Sequence, residues 1–207
     1  MAHIHKATLT PSKLELLTPW LRSRAWADGS GGVQTIGAYR FDDPQGEVGI
    51  ETFLLRTTTG AVLHVPATYR SEPLRGADEH LIGTTEHSAL GTRWVYDGCG
   101  DPVWAAVLTQ VVLTGGTQAS EMVDDGNGGL IERPPTATVV GSGEAGAEVP
   151  PVAGAQPHDE AGYTVVTTGG PVLVVAREVG RELTGVTHTL TVRWADAEPV
   201  IVAGIRQ

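Results

Sequence analysis

The sequence predicts an α+β protein: a curved antiparallel sheet with one or two packed helices, followed by a small antiparallel β unit. Three observations carry this. Strand-like runs follow one another instead of alternating with helices. The chain's 27 Gly and 13 Pro in 207 residues leave little room for long helices. Its hydrophobic content of 41% is enough for a sizeable core, with no disulfide framework possible around the single Cys99.

Ala2 to Thr10 alternates enough to form a strand. Thr10 and Pro11 have the types favoured at an N-cap and a first helical position. Leu14, Leu17 and Leu21 then recur at helical spacing, which predicts a short amphipathic helix over about residues 11–24, interrupted or bent by Pro19. Asp28 to Gly32 reads as a break. Residues 33–42, 47–58 and 61–70 are strand-like, joined by turns at Asp42-Asp43-Pro44-Gln45-Gly46 and Thr58-Thr59-Gly60, an antiparallel meander. Residues 74–91 read as a longer irregular segment and 92–97 as another strand. Asp101 followed by Pro102 opens a uniformly apolar helix that Gly115-Gly116 ends; without a polar face it belongs in a groove.

Residues 117–160 are acidic and rich in Gly and Pro with few large apolar groups, and burial there cannot offset ordering entropy. Loops or linker are expected, with a short strand at 136–140. A hairpin over 163–179 and strands at 186–194 and 199–207 follow. The expected organisation is an α+β domain over 1–116, a linker over 117–160 and a small β unit over 161–207.

The formal net charge is −10. Residues 1–116 carry 9 basic against 12 acidic side chains, −3, and residues 117–207 carry 5 against 12, −7. Neither part offers the cation cluster that neutralises phosphates, so nucleic acid and anionic membrane surfaces are excluded as partners. No export signal or bilayer-spanning run is read, and a cytoplasmic location is expected.

Candidate chemistry is sparse. His3 and His5 share a strand face and could both ligate a metal, but no third ligand lies near in sequence. Glu79 to His87 gathers two His and two Glu; without a nucleophile or zincin spacing, loop-ordering hydrogen bonds are the expected role. Gly141-Ser142-Gly143 and Gly169-Gly170 lack the helix and Lys of a phosphate loop. Cys99, between two glycines in an exposed-turn context with acidic neighbours, is no catalytic thiol. The five tryptophans could line a sugar-stacking groove, yet core packing is their commoner use. No cofactor and no metal are expected.

A family resemblance rests on several segments: residues 5–15, the turn and strand at 42–51, Thr68-Tyr69-Arg70, the block from Leu81 to Gly91, Arg93 to Asp97, and Asp101-Pro102-Val103. Together they resemble the N-terminal cap domain of actinobacterial maltokinases and related aminoglycoside-phosphotransferase-like sugar kinases, over about residues 1–115, with the 83–91 block closest to stand-alone relatives. The resemblance implies a cystatin-like layer. In a full kinase the cap leads into a nucleotide-binding lobe whose anchoring Lys would fall near VLVVAREV, and no Lys follows Lys13. The expectation is therefore a non-enzymatic binding or regulatory module in maltose, trehalose or glycogen metabolism, contacting another protein. A sugar or sugar phosphate in the sheet's concavity is the alternative, and an accessory part of a sugar kinase the remote one. His80, Thr84, Glu86, His87, Arg93, Trp94 and Tyr96 are the candidate interaction or structural residues.

Overall fold

The structure, a computed structural model, describes residues 2–4, 8–27, 31–124, 129–195 and 197–206. His5, half of the imidazole pair, and Asp28 to Ser30 of the expected break lie outside them.

In chain order the elements are β1 (Ala2–Ile4), β2 (Leu9–Thr10), α1 (Lys13–Leu21), β3 (Val33–Phe41), β4 (Gly49–Thr57), β5 (Val62–Arg70), β6 (Leu81–His87), β7 (Gly91–Asp97) and α2 (Pro102–Thr114). There follow β8 (Glu121–Asp124), β9 (Leu130–Arg133), β10 (Ala137–Gly141), β11 (Gln156–Glu160), β12 (Tyr163–Thr167), β13 (Val172–Ala176), β14 (His188–Trp194) and β15 (Val200–Arg206). A curved six-stranded sheet has the order β2-β6-β7-β5-β4-β3, and a second has the order β10-β14-β15-β13-β12-β11. Both are antiparallel throughout. A small third sheet joins β1, β8 and β9. The α+β class with a curved antiparallel sheet holds.

The first helix starts at Ser12, two residues later than the Thr10 cap expected. Ser12 Oγ accepts from the Glu15 N–H while a Glu15 carboxylate oxygen accepts from the Ser12 N–H at 2.8 Å, a capping box. Two orphan donors are satisfied reciprocally, which a Thr10 start would not achieve. Ser12→Ala is expected to lower stability by about 1 kcal/mol, read from the denaturant midpoint.

Leu17, Trp20 and Leu21 of α1 pack with Phe53, Leu55, Leu63, Val65, Ala67 and Val95 on one face of the first sheet. The opposite face, with Tyr39, Ile50 and Leu54, packs on Trp104, Leu108 and Val112 of α2 and on Leu173, Leu190 and Ile205 of the second sheet. Having both faces covered is why β4 is buried at every position from Ile50 to Leu55 instead of at alternate ones. The apolar α2 lies in this shared core, and Asp101 and a left-handed Gly115 cap it as its sequence foretells.

Three expectations are corrected. Residues 74–91 are not irregular: they contain β6, paired with both β2 and β7. Residues 117–160, read as loops or linker with one short strand at 136–140, contain that strand as β10 and also β8, β9 and β11; β10 and β11 form the two edges of the second sheet, and Ala137 and Val139 enter the shared core. An edge strand such as the polar Gln156–Glu160 is held by its ladder to β12, not by buried side chains, so composition does not reveal it. Cys99 is fully buried rather than in an exposed turn, and burial is the main cause that raises its thiol pKa well above the ordinary value. Trp20, Trp26 and Trp104 are buried in the two cores.

Among the described residues no group of three His, Cys, Asp or Glu is placed to hold a metal ion, and no helix is long and apolar enough to cross a membrane.

Candidate functional site

Strand alternation sets which side chains share a face. On the α1 side of the first sheet, Glu51, Tyr69 and Arg93 fall in the same alternation as the helix-packed Phe53, Ala67 and Val95. The helix covers only part of this face. Beyond its first residue, Lys13, a cleft of about 720 Å³ opens, lined by Lys13, Arg40, Glu51, Tyr69, His87 and Arg93 among others.

Glu51 is 5% exposed and forms the floor. Lys13 Nζ donates to both its carboxylate oxygens, at 2.8 and 2.6 Å, and Arg40 Nη1 lies 3.9 Å away. Burial of the Tyr69 hydroxyl, together with the charge of Glu51, raises its pKa well above the usual value, so it stays a neutral donor. At the other side of the same strands Asp101 is fully buried, capping α2 while accepting bidentately from Arg70 at 2.7 Å and from Thr68 Oγ1.

The β6–β7 hairpin forms one wall of the cleft, and three of the sequence-derived candidates meet at its tip. His87 Nδ1 accepts from the Ala89 and Leu90 N–H groups at 3.2 and 3.1 Å. Glu86 accepts from Thr92 Oγ1 at 2.7 Å, and Arg93 Nη2 donates to the Leu90 carbonyl at 2.8 Å. Ser88 N–H donates to the Thr8 carbonyl, and Thr8 N–H to Ser88 Oγ, both at 3.1 Å. Gly91 closes the turn at φ +73°, a conformation suited to glycine. The braced turn leaves Leu90 half exposed.

The other candidates lie elsewhere. Tyr96 is buried at the far end of β7, its hydroxyl accepting from the Leu74 N–H at 2.9 Å. His80 sits in a short 3-10 turn against Gly100, where an added Cβ would come within 2.3 Å of the imidazole ring, and its Nε2 is 3.6 Å from Glu79. Thr84 and Trp94 pair across β6 and β7 on the alternation opposite to Arg93.

Sequence reasoning missed Lys13, Arg40, Glu51 and Tyr69. The available signal was a Glu among the apolar residues of Gly49–Thr57 with Arg40 across the β3–β4 hairpin; Lys13, 38 residues away, gave none. It also missed the buried pair Arg177–Asp97, where Arg177 Nη2 is 2.5 Å from Asp97 Oδ2 and Arg177 Nε donates to Thr164 Oγ1 at 2.6 Å. The Arg177 guanidinium stacks 4.7 Å from the Trp26 ring, and Trp26 Nε1 donates to Asp159. This cluster ties the first sheet to β12, β13 and β11.

No curated protein matches the chain. The family model described as the maltokinase N-terminal cap domain matches residues 20–101, from the last turn of α1 through the first sheet to the residue that caps α2.

Proposed function

We propose that the chain is a non-catalytic docking module, linked to maltose, trehalose or glycogen metabolism through contact with another protein. The observation that carries this is the hairpin tip: seven hydrogen bonds involving Thr8, Ser88, His87, Glu86 and Arg93 fix a turn that presents Leu90 at 50% exposure. A large apolar side chain on an already ordered loop loses little entropy on binding, which is how a few residues come to dominate an interface. The cap-domain match of residues 20–101 supports the metabolic link. Arg177 supports the non-catalytic reading: it lies where the resemblance puts a nucleotide anchor, yet it is fully buried and paired with Asp97.

The test separates docking from bracing. Capture from an extract with wild-type protein as bait, identified by mass spectrometry, is expected to enrich an enzyme of these pathways, and Leu90→Asp bait to lose it without a change in denaturation midpoint. His87→Ala is expected instead to lower stability by about 0.5–1.5 kcal/mol, since the Ala89 N–H loses its side-chain acceptor while the Leu90 N–H keeps only the His87 carbonyl. Equal capture by both baits would reject the reading.

A further inference from the structure

The cleft beyond α1 contains an unusual imbalance. Arg40 is 20% exposed at its side chain, and among the described residues its buried Nε has no hydrogen-bond partner and its only ion-pair approach is the 3.9 Å to Glu51. A guanidinium has five donors, and a desolvated one left unmatched is costly. The position therefore calls for an acceptor that the described residues do not supply. Beside it, Glu51 is a buried carboxylate that accepts two bonds from Lys13 and one from the Tyr69 hydroxyl, which leaves one of its about four lone-pair sites for a further donor.

Charge decides what kind of acceptor fits. The described lining has three cations, Lys13, Arg40 and Arg93, against four carboxylates, Asp42, Asp43, Glu47 and Glu51. Asp43 is tied to the N–H groups of Gln45, Glu47 and Val48 in its own turn. An anion reaching Arg40 would meet Glu51 at the floor, and a cation drawn by Glu51 would leave Arg40 unmatched. A hydroxyl both donates and accepts, so neighbouring hydroxyls can bond Arg40 and Glu51 at once. The Tyr69 ring and the exposed Leu90 give the apolar surface that a ring face needs, and about 720 Å³ is in the range of small-molecule sites.

We infer that this cleft binds a neutral polyhydroxylated ligand of about disaccharide size, held by Arg40 and Glu51. The cleft shares Leu90 with the proposed docking tip, whereas Arg40 and Gly49 belong to β3 and β4 and not to the β6–β7 hairpin. Gly49 gives access to the cleft, because a Cβ there would stand 3.4 Å from Tyr69 Cβ and 3.6 Å from Arg40 Nη2, ordinary contact distances from which a longer side chain would extend among these lining groups.

The experiment is calorimetric titration of the full chain with maltose, with trehalose and with inorganic phosphate, on wild type, Gly49→Leu and Arg40→Leu. At least one disaccharide is expected to bind wild type, with phosphate silent, and both variants are expected to weaken binding by at least about tenfold. Arg40→Leu removes no hydrogen bond and should stay folded if Gly49→Leu does not. No heat from either disaccharide at tens of millimolar, binding of phosphate alone, or disaccharide binding unchanged in a folded variant would each overturn the inference. Capture by the Gly49→Leu bait, measured in parallel, is expected to persist, so failure here leaves the docking reading standing and loss of capture with Leu90→Asp is judged separately.

Discussion

Arg177→Met is expected to lower the unfolding free energy by about 3–5 kcal/mol, because removing one partner leaves Asp97 as an uncompensated buried charge. Both groups lie inside the junction of the two sheets, Arg177 with no exposure and Asp97 with 6%. The guanidinium also holds Thr164 and stacks on Trp26, so three elements lose a common partner. Such a loss is a large share of the roughly 5–15 kcal/mol available to a domain. Asp97→Asn in the Arg177→Met background is expected to restore part of the stability, since the charge goes while the side-chain oxygen can still accept from the Cys99 N–H. Urea midpoints of the two single variants and the double variant check this; additive losses would show that the pair is not coupled.

The second large effect is pH dependence through His64, which is 1% exposed between β5 and β13. Its Nδ1 is 3.0 Å from the Ala176 carbonyl, which can only accept, so Nδ1 carries the proton and Nε2 accepts from the Tyr39 hydroxyl at 2.8 Å. Burial lowers the His64 pKa from 6.5 to about 4. Above pH 6.5 the ring is neutral in both folded and unfolded chains and costs nothing. As pH falls from 6.5 to about 4 the unfolded chain binds a proton that the folded one refuses, so stability drops, by about 3 kcal/mol in all, and levels off below pH 4. The His64→Gln variant is expected to lose this part of the slope while Gln can still donate to Ala176. Denaturant midpoints from pH 7 to 4 for both proteins read it, and parallel curves would contradict the placement of His64.

Much of the fold was legible because single residues specify backbone. Asp101, Pro102 and Gly115 bound α2, and the turn residues Asp43, Gly46 and Gly60 separate the strands of the meander. The cap of α1 was misplaced by two residues because Thr10-Pro11 has suitable types, whereas the Ser12–Glu15 reciprocity is the stronger signal. β6 was hidden by the register shift near Gly83 and by its half-exposed faces, which erase alternation. β10 matches the short strand read at 136–140, whereas β11 was hidden although its partner β12 follows directly, because the polar Gln156–Glu160 carries no apolar alternation. For the candidate site, Glu86, His87 and Arg93 were found as a local cluster, but the Lys13–Glu51–Arg40 floor unites residues from α1, β4 and β3 through tertiary contact alone.

The central claim is that Leu90, on its braced hairpin, is the anchor for a protein partner. The most direct measurement is the affinity of the captured partner, purified, for wild-type chain and for Leu90→Asp at matched stability. The account predicts a loss of at least about tenfold in affinity, carried mainly by faster dissociation. Equal affinity for the two chains would contradict it.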